Sequence, residues 1–140
     1  MPYQPEWYDT DKSIICVDIN GHVTWDEWYE MNNRVINMMA TVPHRVDVIY
    51  HDKVGMPKGN PMPHLRATSA KLIAQGNLGI IVSVSVRHIS GIVKAMVDIM
   101  MRAYRMDSRY NGGFVDTIEE AINVIKASRA KNTPQTGAVR

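Results

Sequence analysis

The stretch "LGIIVSVSV", Leu78 to Val86, decides the fold. It is a near-continuous apolar, β-branched run with the length of one strand, which is what a strand covered on both faces requires. It is therefore read as the middle of a sheet. Immediately before it, Gly76-Asn77 supplies the residue types that tolerate left-handed geometry and closes a helix on which Leu65, Ser69, Leu72 and Ile73 share a face. Further upstream, "RVDVIYH" (Arg45 to His51) alternates and is β-branched, so it is a second strand of the same sheet.

The helix between "SIICVDI" (Ser13 to Ile19) and "RVDVIYH" completes a βαβ unit, because a parallel pair needs a crossover. Thr24 and Glu27 stand in capping-box spacing and set its start. Trp25, Trp28, Asn32, Val35, Ile36 and Met39 then recur at three- and four-residue spacing until Pro43. Glu6 to Asp9 precedes "SIICVDI" across the turn residues Asp9, Asp11 and Lys12, which reads as an antiparallel hairpin. Beyond the central run, Ser90 caps a third helix carrying Ile92, Val93, Met96, Val97, Met100 and Tyr104 on a wide apolar face. Asn111-Gly112-Gly113 reads as a turn, "GFVD" as a short strand, and Thr117 with Glu120 as a second capping box. That box opens a last helix with Ile118, Ala121, Ile122 and Ile125 inward.

The element order predicts an α/β fold: one mostly parallel sheet with an antiparallel N-terminal edge hairpin and four helices. A chain of 140 residues is the size of one domain, expected over residues 1–130, with 131–140 as a disordered tail. Sixteen basic and 14 acidic side chains leave +2, which does not suggest a nucleic-acid or membrane-surface binder. Cys16 is the single cysteine, so no intrachain disulfide forms, and its apolar neighbours make it a small buried hydrophobe. The start of the chain lacks the pattern of a secretory leader, and no run approaches membrane-span length, so a cytoplasmic protein is expected.

The hairpin with "VDINGHVTWDEWYEMNNRV", the strand "HRVDVIYHD", the segment "MPHLRATSAKL", "NLGIIVSVSV" and "VDTIEEAINVI" together resemble the STAS-like proteins related to bacterial anti-sigma-factor antagonists. The resemblance spans roughly residues 3 to 127. It implies a small regulatory domain that docks onto other proteins or holds a ligand. Antagonists of that family carry a phosphorylatable hydroxyl at the start of the second helix. Here "HDKVGMPKGNPMP" contains none, and Thr68 and Ser69 lie inside the predicted helix, so the phospho-switch is not carried over.

In open α/β sheets ligands bind beyond the carboxyl ends of the strands. That rule draws His51, Asp52, Lys53, Lys58 and His64 to one rim with Arg87, His88 and Ser90, as a partner-docking or anion-binding cluster. The plainer alternative is that strand ends are polar because they meet water. Pro57, Pro61 and Pro63 stiffen the intervening loop into a shaped surface, and its two glycines do not have the spacing of a phosphate-binding loop. The histidines lack ligand spacing and no nucleophile elbow is present, so no metal, no cofactor and no enzyme activity are expected. The chain has ten methionines against one phenylalanine, concentrated on the first and third helices, and on the third Ile92, Met96, Ile99 and Met100 read as a homodimer seam, an apolar ligand pocket or a loosely packed core. The expectation is a non-enzymatic, dimeric interaction domain, with a carrier or sensor of a small apolar or anionic molecule as the alternative.

Overall fold

The computed structural model describes residues 2–55, 57–85 and 110–132. The described elements run β1 (Tyr3–Trp7), β2 (Ile14–Ile19), α1 (Trp25–Met39), β3 (Val46–Asp52), α2 (Met62–Ala74), β4 (Leu78–Ser85), β5 (Asn111–Val115) and α3 (Ile118–Asn132). The strands form one sheet in the order β1-β2-β3-β4-β5, antiparallel only between β1 and β2. This is the predicted α/β class with its edge hairpin. Three helices lie among the described residues. The expected helix starting at Ser90 falls outside them, as do Arg87, His88, Ile92, Met96, Ile99 and Met100.

Sequential strand order with parallel crossovers has a consequence for layering. Connections of one hand between successive neighbours fall on one face of the sheet. Accordingly α1 and α2 pack together on one face: Trp28, Met31, Val35, Met39 and Leu72 meet Ile15, Val17, Ile19, Val46, Val48 and Tyr50. The opposite face holds Ile14, Ile49, Ile80, Val82 and Val84 under Ala121 and Ile125 of α3. The capping box at α1 is realised in full, with Thr24 Oγ1 accepting from Glu27 N–H and the Glu27 carboxylate accepting from Thr24 N–H. At α3 the Thr117 hydroxyl accepts from Glu120 N–H at 3.1 Å and donates to the Glu120 carboxylate at 3.2 Å.

Several expectations are corrected. The middle strand is β3, whose first five residues are all buried, and β4 is fourth in order. β3 looked less apolar because it contains Asp47. Asn111-Gly112-Gly113 is part of β5, where the register slips by one residue between Ile81 and Val82 of β4. Gly113, at φ +84°, accommodates that bulge, because a side chain there would be strained. α2 begins at Met62, so His64 belongs to its first turn and not to the loop. α3 runs to Asn132, two residues beyond the expected domain end, and 133–140 fall outside the described residues.

A second bulge organises the amino ends of the strands. Between the pairs Val46–Leu78 and Val48–Ile81, one residue of β3, Asp47, opposes two of β4, Gly79 and Ile80, which leaves the Ile80 N–H without a ladder partner. The fully buried Asp47 carboxylate takes it, with Oδ1 accepting from Ile80 N–H at 2.7 Å. Arg45 binds the same oxygen at 2.9 Å, and Arg129 of α3 binds Oδ2 at 2.7 Å while also donating to the Ser13 carbonyl. Arg45 further donates to Ser128 Oγ at 3.0 Å. The last helix is thus fastened to β2, β3 and β4 by charge as well as by its apolar stripe.

Candidate functional site

At the carboxyl ends of β2 and β3 the sheet register sets Asp18 beside His51. Both side chains lie on the α3 side, by alternation from Ile49 and Cys16. His51 Nδ1 and Asp18 Oδ1 are 2.9 Å apart, and Lys53 Nζ stands 3.7 Å from the same oxygen. An ionised carboxylate only accepts, so His51 donates from Nδ1 and its Nε2 is left for other contacts. The His51 side chain is mostly buried, whereas those of Asp18 and Lys53 are about 40 % exposed.

Asp52 has a different task. Its Oδ1 accepts from Val54 N–H at 3.0 Å and Gly55 N–H at 2.8 Å, turning the chain out of β3. Gly55 and Gly59, both at φ +104°, carry the left-handed turns that follow. The loop is then pinned from below: Trp25 Nε1 donates to the Lys58 carbonyl at 2.8 Å. The Lys58 side chain is left exposed on the surface of this fixed segment.

His64 does not join His51. Its ring stacks on Trp25 at 4.1 Å between centroids, and its Nδ1 meets the Tyr29 hydroxyl at 2.7 Å. The predicted residues therefore divide: His51 and Lys53 join Asp18 at the carboxyl ends of β2 and β3, and His64 joins Trp25 and Tyr29 in the helical layer, with the pinned loop between. Reading the sequence missed Asp18 and Tyr29, and assigned Trp25 to the core stripe only. The signal for Asp18 was present, since it shares the alternation of Cys16 in "ICVDI" and is the polar member.

Several other polar or nucleophilic groups among the described residues are engaged in the fold. Burial pushes the Cys16 thiol up to about 11, with the Asp18 and Glu6 carboxylates adding to the rise and Lys53 opposing it. Trp28 Nε1 donates to the buried Thr68 Oγ1 at 2.9 Å, so this hydroxyl is a structural acceptor, and the neighbouring Ser69 is buried as well. Tyr50 stacks on Trp28, donates to the buried Asn32 side chain, and is raised in pKa by burial. Among the described residues no three His, Cys, Asp or Glu side chains are placed to share a metal ion, and no helix is long and apolar enough to cross a membrane. No family model, no curated protein and no solved structure matches this chain.

Proposed function

We propose that the chain is a non-enzymatic interaction domain of the STAS-like kind that the sequence resemblance implies, docking a protein partner through the β3–α2 rim. One observation carries this reading: the rim loop is built as a fixed surface. Asp52 holds its first turn, the Trp25 indole holds its middle at Lys58, and His64 is clamped where it enters α2. A loop held at three points loses little conformational entropy when a partner binds, which favours docking through it.

Charge indicates the partner's character. Lys58 presents an exposed ammonium group on this rim and Lys53 also lies there, 3.7 Å from the Asp18 carboxylate that also meets His51, while Asp52 is turned into the loop backbone. An acidic protein surface fits such an arrangement. Two grooves lie away from this rim, one against Tyr3, Pro5 and Arg34 and one around Arg45, Gly79 and Tyr110.

The test is paired capture. Wild-type protein and Lys53→Ala/Lys58→Ala, immobilised side by side, are exposed to the same native extract. Proteins retained by the wild type and lost from the double variant support the reading; identical retained sets refute it.

A further inference from the structure

β1 forms one edge of the sheet, and among the described residues nothing pairs with its outer side. The direction of its backbone groups follows from two bonds that bracket the hairpin. Asn20 N–H donates to the Pro2 carbonyl at 2.9 Å, and Tyr8 N–H donates to the Ile14 carbonyl at 2.7 Å. Antiparallel pairing alternates, so Pro2, Gln4, Glu6 and Tyr8 face β2, and Tyr3, Pro5 and Trp7 turn their backbone groups outward. An exposed edge of this kind is a template for another strand. Here its central outward residue has no N–H, and the pyrrolidine ring fills the space into which the hydrogen would point.

We infer that Pro5 closes the β1 edge against antiparallel pairing with a second copy of this chain. A second copy is the relevant occupant because two-fold pairing sets the same strand against itself. Outward residues must meet outward residues, which leaves few registers. In the longest, Tyr3 meets Trp7 of the second copy and Pro5 meets Pro5, so both bonds of the central pair are missing and two rings oppose each other. A two-residue slide one way sets Pro5 against Trp7 and brings Glu6 face to face with Glu6, a like-charge cross-strand pair. The opposite slide pairs only Tyr3 with Pro5, again without the proline's donor. Each register that pairs more than one outward residue of this strand therefore lacks bonds that Pro5 would have given.

The remaining features of β1 fit an edge that must stay single. The strand is only five residues long, and Gln4 and Glu6 are exposed on one side of it, joined by a 3.1 Å bond. Neither blocks pairing in the longest register, where Gln4 would meet Glu6. Pro5 is the element that does.

Sedimentation of Pro5→Val over a concentration series tests this. The expected result is a weight-average mass rising to twice the wild-type value, and falling back when Gln4→Lys and Glu6→Lys are added, since lysines then oppose each other in every register. A mass equal to wild type at all concentrations overturns the inference. So does association that the two lysines fail to reverse. Should Pro5→Val lose the wild-type circular dichroism spectrum, Pro5→Ala restores the same N–H with the smallest side chain and is read in its place by the same criteria.

Discussion

Arg129 and Asp47, 82 residues apart in sequence, meet in a 2.7 Å ion pair at the amino ends of the strands, with the carboxylate fully buried. A buried carboxylate is stabilising only when its partners are present, and removing them leaves an uncompensated charge. Asp47 also satisfies the Ile80 N–H that the β4 bulge strands. Asp47→Ala is therefore expected to destabilise the fold by about 3–5 kcal/mol. Arg129→Met, which keeps the packing and leaves Arg45 in place, is expected to cost about 1.5–3 kcal/mol. Urea denaturation of both variants and of the double variant checks this, and the two losses should add to more than the double shows.

Gly79 lies under the same cluster. An ideal Cβ there would overlap the Asp47 carboxylate and the Arg45 guanidinium. Gly79→Ala is expected to be as damaging as loss of Asp47, although alanine normally strengthens a strand relative to glycine. A thermal melt comparing Gly79→Ala with Gly55→Ala separates collision from backbone strain, because the Gly55 Cβ would meet open space and only its positive φ resists it.

Trp25→Phe keeps a ring against His64 but removes the indole N–H that holds the Lys58 carbonyl. The expected global cost is small, about 1 kcal/mol. The local effect is larger: amides of 58–60 should exchange faster than in the wild type while those of β3 stay protected. Unchanged exchange in the loop would show that the indole is not what fixes it.

The Cys16 thiol, raised to about 11 by burial, should carry on the order of a hundredfold less thiolate at neutral pH than an ordinary cysteine. Iodoacetamide at pH 8 is expected to label the folded protein slowly and the urea-unfolded protein fast. The sign of the linkage follows. Folding favours the protonated thiol, so its contribution to stability is present below the ordinary thiol pKa and is lost as pH rises from there towards about 11.

Much of this fold is legible one residue at a time. Thr24 with Glu27 and Thr117 with Glu120 announce their helices, because caps depend only on local spacing. The bulges are different: Gly79 and Gly112 look like ordinary turn or strand glycines until the neighbouring strand is in place to slip against them. The rank of β3 as the middle strand is hidden by Asp47, whose compensating arginine is contributed by a helix far along the chain. A signal existed in α3, where Arg129 continues the i, i+4 spacing of Ala121 and Ile125 onto the buried face. For the candidate site, the end of β3 places His51 and Lys53 beside Asp18, while Asp52 turns into the loop backbone. His64 is separated from them because α2 starts early and carries it into the helical layer beside Trp25.

The most direct test of rim docking is a photo-crosslinking amino acid placed at Lys58, exposed on the pinned loop, and in a second protein at Lys126, exposed on α3. The account predicts that irradiation in native extract joins a discrete partner to the Lys58 position and not to the Lys126 position. An adduct formed from Lys126 alone, or from neither position, would contradict it.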